Sequence, residues 1–569
     1  LADFETLLDA LDYAATGLTG YNFYDARGNL KSVLTYKDLQ ENARTTAKRL
    51  IGLGLERGEH VAIIADTTPE FITLFFACRY AGVVPFAMPV PVNLGSHDIY
   101  VKQLRGMMSV SKASVALANK DFISFLEEAS TDLESIKWVG TPELLENIQP
   151  SDTELQKNKQ DEVAYLQFTS GSTRAPQGVI ITESAVMSNL RGIVRDALTM
   201  TSEDRCASWL PFYHDMGLIG LVLAPMVSQM SVDFLRTRDF AVRPIQWLRI
   251  ISRNKCTIAF SPPFGFELCS LRVREADLEG LDLSSWRAAG VGAEMISPTV
   301  LKNFANKFSS VGFNPNAFLP CYGLAEACIA VTFSKVGSGL EVLKVDTELL
   351  ADKGIADCVE SDNRKHNDFV NCGKALPGHT VVVVDEEGKS LPDMRVGRVL
   401  LEGPSLMSGY VNDPEATKRV MKSDNRMDTG DLGFLSDGNL YLTGRHKDII
   451  IINGRNIRAQ DIEEIAEQQQ EIRTRETSAF SAVDSKGVST IVLVIENRLS
   501  SAEERQSLIS RVQRLVYNAF GIHCLVELVP PHTLPRTSSG KLSRAAACKG
   551  FLERTGFSSP QSLQAESHH

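Results

Sequence analysis

At 569 residues and 43% hydrophobic content, the chain can bury large cores but exceeds one ordinary domain, so two to four domains are expected. Its net charge of -11 argues against a general binder of nucleic acid or anionic membrane, because those surfaces attract basic patches. No apolar run is long enough to span a bilayer, which argues against stable membrane insertion.

At the N-terminus, Leu and Phe recur at helical spacing over residues 1–11, but acids stand where a signal peptide would carry bases, so a cytoplasmic enzyme is expected. Thr35 and Asp38 read as a capping box with Asp in place of Glu, opening a helix through Leu39, Ala43, Ala47 and Leu50 to Gly52 and Gly54. Residues 61–65, Val-Ala-Ile-Ile-Ala, read as a buried strand; Thr67-Thr-Pro-Glu then opens a helix through Phe71, Phe75 and Cys78 to Gly82. Further buried strands at 114–118 and 137–139 continue the alternation, which predicts an α/β fold with a largely parallel sheet covered on both faces. The polar span 147–161 reads as a connection. The ten cysteines are scattered without Cys-x-x-Cys or Cys/His spacing, so they read as small buried apolar residues and no structural metal is expected.

That connection leads into residues 165–179, Tyr-Leu-Gln-Phe-Thr-Ser-Gly-Ser-Thr-Arg-Ala-Pro-Gln-Gly-Val, an apolar strand, a loop of hydroxyls and glycines, and a second apolar run. The loop suits a phosphate cradle: Gly171 lets the backbone approach an anion, and Thr169, Ser170, Ser172 and Thr173 offer hydroxyl and amide donors. A plain surface turn has the same composition. It is not a Walker A loop, since no Gly-Lys-Ser/Thr follows and Val179-Ile-Ile reads as a strand.

Further on, Trp209-Leu-Pro-Phe-Tyr-His-Asp-Met-Gly217 sets His214 and Asp215 beside aromatics, either as a core-facing histidine or as part of a site. Pro320-Cys-Tyr-Gly-Leu-Ala-Glu326 places a ring and a carboxylate close together, where Tyr322 alone would read as core and Glu326 as a helix-start acid. Residues 427–433 and 441–449 read as an acid-bearing turn, a short strand and an arginine-bearing turn. Residues 534–544 form a Ser/Gly loop presenting Lys541, by itself a solvated charge.

In this order and spacing, the loop from Thr169 to Gly178, Val291-Gly-Ala-Glu294, Tyr322-Gly-Leu-Ala-Glu326, Thr429-Gly-Asp431, Gly444-Arg445 with Lys447-Asp448, and Pro535-Arg-Thr-Ser-Ser-Gly-Lys541 carry a resemblance. Over nearly the whole chain, the sequence resembles the adenylate-forming superfamily of acyl-CoA synthetases, non-ribosomal peptide adenylation domains and luciferases. By Ser-Thr-Arg-Ala-Pro in the loop, Tyr-His-Asp-Met-Gly-Leu and Tyr-Gly-Leu-Ala-Glu-Ala, it is most similar to the fatty acyl-AMP ligases.

The resemblance implies a large N-terminal domain of several subdomains with mixed, largely parallel sheets over residues 1–446, carrying an insertion at about 335–371. A small mobile α+β lid over 447–555, pivoting about Lys447, and a tail over 556–569 would follow. The sequence supports such a lid, with helical spacing at 459–465 and 502–520 and strands at 490–495 and 525–529. In the insertion, Leu340, Val342, Leu343, Val345, Leu349 and Leu350 read as anchors docking it on its own domain near the hinge.

The implied chemistry is ATP-dependent activation of a fatty acid to acyl-adenylate, with Mg²⁺ as cofactor and transfer to an acyl carrier protein or a carrier domain of a polyketide or non-ribosomal synthase. Tyr322 would stack on adenine, with Gly323, Leu324 and Ala325 beside it and Gly292, Ala293 and Glu294 lining the base pocket. Asp431 would accept from the ribose hydroxyls with Arg445 assisting, Glu326 would hold Mg²⁺, and Lys541, with His214, would serve catalysis. Phe212 to Leu223 and Phe260 to Phe266 are the expected acyl-pocket lining. The chain departs from the wider pattern at Gln177, where relatives carry Lys, at Arg174, where they carry Gly, and at Ala325, where many carry Thr. Arg174 is expected to supply the charge of the missing Lys. An acyl-CoA synthetase and a non-catalytic nucleotide-binding pseudoenzyme are the competing readings.

Overall fold

Strong local signals start the fold: Thr35 caps the helix Tyr36–Gly52, and Gly82 ends the helix Pro69–Ala81 in the left-handed conformation at φ +73°. The cap is only half the expected box. Thr35 accepts from the Asp38 N–H at 3.0 Å, but the Asp38 carboxylate, one methylene shorter than Glu, takes the Thr35 hydroxyl at 2.6 Å. The structure, a computed structural model, describes residues 2–91, 97–169, 176–360, 365–452, 455–484, 488–536 and 542–559.

Among these residues the chain forms a mixed α/β architecture with a large N-terminal and a small C-terminal domain. One seven-stranded sheet runs, by strand order, Gly409–Tyr410, Gln177–Thr182, Val163–Thr169, Val84–Met88, His60–Ile64, Val115–Leu117, Trp138–Gly140. Its last five strands pair in parallel, and Gln177–Thr182 turns back antiparallel on Val163–Thr169. A nine-stranded sheet carries parallel neighbours Phe318–Gly323, Ala288–Val291, Ile258–Ser261, Arg205–Ser208 and Ser231–Leu235. One continuous apolar core joins the two sheets, with Trp209, Trp247 and Trp286 buried within it.

A four-stranded antiparallel sheet follows, and here the sequence expectation of an acid-bearing turn at 427–433 is corrected. Met427–Ser436 is a ten-residue strand that pairs with Asn439–Arg445, so Asp431 and Arg445 face each other across a hairpin. Period-2 alternation is broken there by two glycines and a bulge between Leu432 and Gly433, which hid the strand.

The C-terminal domain has its own cores on the two faces of a three-stranded sheet, Thr477–Val483, Ser489–Glu496 and Cys524–Val529. The helices Ala459–Glu467 and Ala502–Phe520 lie where their periodicity placed them; the strand Thr477–Val483 and the helix Arg544–Thr555 add to the sequence reading. Residues 556–559, read as the start of a tail, are held: Phe557 packs on Phe551 at 5.4 Å, and Ser558 pairs with Val483. Among the described residues no helix is long and apolar enough to cross a membrane.

The segment read as an insertion folds into a two-stranded sheet, Val342–Asp346 with His366–Val370, and a short helix Thr347–Lys353. Val345 is a buried anchor, Leu340, Leu343 and Leu350 are partly buried, and Phe369 packs edge-on against Phe434 at 5.8 Å. The segment also reaches the C-terminal domain. Asn367 Nδ2 donates to Asp461 at 3.1 Å, Lys365 donates to the Asn518 carbonyl at 3.2 Å, and the Arg458 guanidinium lies 4.6 Å from the Phe369 ring centre.

Candidate active site

Parallel strands present their carboxyl ends on one edge, the usual place for ligands in α/β sheets, and the chemistry-bearing residues gather there. Ala288–Val291 ends at Gly292, Ala293 and Glu294, and its neighbour Phe318–Gly323 ends in Tyr322, Gly323, Leu324, Ala325 and Glu326. Thr169 closes the strand Val163–Thr169, opposite Gln177. Only glycine fits at 323, because a Cβ there would lie 1.5 Å from the Ile329 carbonyl oxygen.

Tyr322, a core residue by its burial, donates its hydroxyl to Asp431 Oδ2 at 2.7 Å; Arg445 Nε lies 3.3 Å from Asp431 Oδ1. Sheet pairing makes this triad: Asp431 stands opposite Arg445, and the Thr429 hydroxyl fixes the Asp431 N–H at 3.0 Å. Burial pushes the Asp431 carboxyl above the usual carboxylate range, while Arg445 and the Tyr322 hydroxyl pull it part of the way back.

Glu326 lies in a 3₁₀ turn, Ala325–Ala327, and accepts the Tyr410 hydroxyl at 2.8 Å. Burial raises its pKa, the Tyr410 hydrogen bond lowers it, and the charge of Asp215 adds to the rise. The turn is shaped by Cys328, held at φ +61° and ψ -62°, and by Asn189, whose amide donates to the carbonyls of Ala327 and Ala330 and accepts the Ala330 N–H. His214 caps the short helix Asp215–Leu218; its Nδ1 lies 2.6 Å from Asp215 Oδ1. Gln167 holds this turn against the sheet by donating to the Tyr213 carbonyl at 2.9 Å.

Glu294 is taken by the other domain: its carboxylate pairs with Arg475, whose guanidinium lies over Phe264. Lys447 follows the strand Asn439–Arg445 in the turn His446–Asp448, and Asp448 bonds Arg544 of the C-terminal domain at 2.9 Å. Ser170, Gly171, Ser172, Thr173 and Arg174, and likewise Lys541, lie outside the described residues. Phe212, expected as acyl-pocket lining, is fully buried and stacked on Phe71 at 5.6 Å, so its ring belongs to the core.

The sequence reading missed Tyr410, Asn189 and Arg475. None sits in a motif, and Tyr410 is 84 positions from the carboxylate it holds. For a divalent cation bridging phosphates, the fit rests on Glu326, a burial-stressed carboxylate with one oxygen already oriented. Among the described residues no group of three or more His, Cys, Asp or Glu side chains could hold a metal by itself.

Residues 22–411 match the family model described as AMP-binding enzyme. The chain belongs to the AMP-binding enzyme family. A Caulobacter vibrioides relative, named provisionally as an acyl-CoA synthetase, is 41% identical to this family member over 97% of the chain and 96% of its own length. A medium-chain-fatty-acid acyl-carrier-protein ligase of Moorena producens is 33% identical over 97% and 96%. A solved structure from a study of fatty acyl-adenylate ligases of E. coli and L. pneumophila superposes with a TM-score of 0.93 at 46% identity, covering 97% of this chain and 98% of that one. The adenylate-forming resemblance and fold expected from the motifs are thereby borne out, and this chain is an enzyme of the AMP-binding ligase family.

Proposed function

We propose that this enzyme activates a fatty acid with ATP and passes the acyl group to the phosphopantetheine thiol of a carrier protein. The observation that carries the reading is the Tyr322–Asp431–Arg445 triad set beside Glu326 at the carboxyl ends of the strands. Tyr322 offers a face to adenine while its hydroxyl holds Asp431. The other Asp431 oxygen and Arg445 address the ribose. Gly292 and Ala293 approach the base, and Glu326 would hold Mg²⁺, which would supply neutralisation of phosphate charge there.

A carboxylate oxygen of the fatty acid attacks the α-phosphorus, the bond to the bridging oxygen breaks, and pyrophosphate leaves with the electron pair. Lys541 would offset the charge developing on the α-phosphate and acyl carboxylate, Arg174 would supply the loop cation and His214 would orient the acid. The thiol sulfur then attacks the acyl carbon, AMP leaves, and the thiol proton is lost. We place the domain division at His446 and Lys447, with Lys447 as the hinge. Cytoplasmic work on soluble carriers accords with the composition.

Transfer to a carrier protein rather than CoA is supported by the segment at 335–371, which grips both domains and would resist lid rotation. The acyl-CoA ligase reading is favoured by the name of the Caulobacter relative. Carboxylate-dependent exchange of labelled pyrophosphate into ATP tests adenylation and separates a catalyst from a pseudoenzyme. A ladder of fatty acids with CoA or a carrier protein then identifies acid and acceptor. Acyl-CoA forming as fast as acyl-carrier would refute the carrier reading.

A further inference from the structure

Arg475 lies in the turn between the helix Ala459–Glu467 and the strand Thr477–Val483 of the C-terminal domain, and it reaches across to the large domain. Its guanidinium pairs with the Glu294 carboxylate and lies 5.2 Å from the Phe264 ring centre. Its backbone stands at φ +65°, a conformation arginine rarely adopts.

Two hydrogen bonds hold it there. The Arg475 N–H donates to Glu467 Oε1 at 2.7 Å, and Arg536 Nη2 donates to the Arg475 carbonyl at 2.7 Å. Glu467 is steadied by the Thr477 hydroxyl at 2.6 Å. Arg536 pairs with Leu542, and the two flank residues 537–541 at the base of that stretch. A chain of contacts therefore runs from Glu294, at the carboxyl end of Ala288–Val291, through Arg475 to that base. Strain kept by several converging bonds marks a position whose side-chain direction matters. The pair is partly exposed, at 30% for Arg475 and 14% for Glu294, so it can break and reform in water.

We propose that Arg475 is a positioning residue for adenylation: by clamping Glu294 and Phe264 it holds the C-terminal domain over the nucleotide site while the adenylate forms. The proposal rests on the adenylation reading above. Its test is a pair of dyes, one on each domain of the full-length protein, whose separation is read with ATP present, beside fatty-acid-dependent pyrophosphate exchange. Arg475→Ala is expected to broaden and lengthen the interdomain distance and to lower exchange about tenfold or more, with KM for ATP held within about twofold. Arg475→Lys, which keeps the charge without the planar fork, is expected to recover part of both.

A wild-type distance distribution in Arg475→Ala would overturn the proposal. So would a raised KM for ATP with the distance unchanged, which would make Arg475 a nucleotide ligand. If Arg475→Ala fails to fold, Glu294→Gln weakens the same pair from the other side, and the interdomain distance alone decides. Absence of exchange in the wild type would refute the adenylation reading and leave the distance measurement interpretable.

Discussion

The sheet-borne half of the candidate site and the face turned to the C-terminal domain are held by different kinds of contact. Tyr322 and Asp431 are buried and locked to each other, and Glu326 is oriented by Tyr410 from a strand that the chain reaches much later. Between the domains run polar and cation–π contacts, among them Arg475 with Glu294, Asn367 with Asp461, Lys365 with a carbonyl and Arg458 on Phe369. Buried bonds enforce one geometry. Partly exposed polar contacts exchange more readily with water than buried bonds do, so this face is the weaker of the two.

The largest effect expected from breaking this comparison comes on the side of the C-terminal domain. Lys541→Ala should keep the fold and ATP binding but lower adenylate formation about 10²–10³-fold, the cost of one preorganised transition-state donor, read by single-turnover kinetics beside a thermal melt. Fast adenylation by the variant would remove Lys541 from the chemistry. On the sheet side, Asp431→Ala should weaken ATP binding by roughly 1.5–3 kcal/mol by calorimetry, since a charged acceptor for ribose hydroxyls is lost. Unchanged affinity would strip Asp431 of that role.

A smaller effect depends on pH. Burial raises the Glu467 carboxyl to about 7, whereas its unfolded value is near 4.3. Between those values the folded protein binds more protons than the unfolded chain, so stability falls as pH rises through this window and levels off above about 7. Glu467→Gln keeps an acceptor for Arg475 and Thr477 without the charge. It should flatten this slope and stabilise the protein at about pH 8 by roughly 1–2 kcal/mol in denaturant unfolding. An equally steep slope in the variant would show that Glu467 is not its source.

The smallest change is the double substitution Lys365→Ala with Asn367→Ala, which removes one exposed and one partly buried contact, each worth about 1 kcal/mol. Adenylation should stay within about twofold while some acyl-CoA appears, if the segment restrains the C-terminal domain. Normal adenylation with no acyl-CoA even after excising residues 335–367 would refute that restraint.

The motifs of the candidate site were legible as a set because each is short and local. The strands Val163–Thr169 and Gln177–Thr182 appeared as apolar runs, and the helices Ala459–Glu467 and Ala502–Phe520 appeared from their periodicity. The strand holding Asp431 did not, since Gly430, Gly433 and the bulge erase its alternation and make it look like a turn. The docked segment at 335–371 was expected from its leucines and valines, yet Phe369, its most telling contact with the C-terminal domain, lay at the far end of the segment and drew no notice.

The sequence by itself determined which residues carry charge, hydroxyls and rings, the order in which they come, and the helices and strands whose apolar spacing is unbroken. Only the tertiary structure decided that Asp431 faces Arg445, that Tyr410 holds Glu326, that Asn189 shapes the turn beyond it, and that Arg475 closes on Glu294. The physical reason is that such pairs depend on sheet register and on how distant elements pack. A hydrogen bond between side chains far apart along the chain imposes no period on the residues around either partner, so nothing local records it.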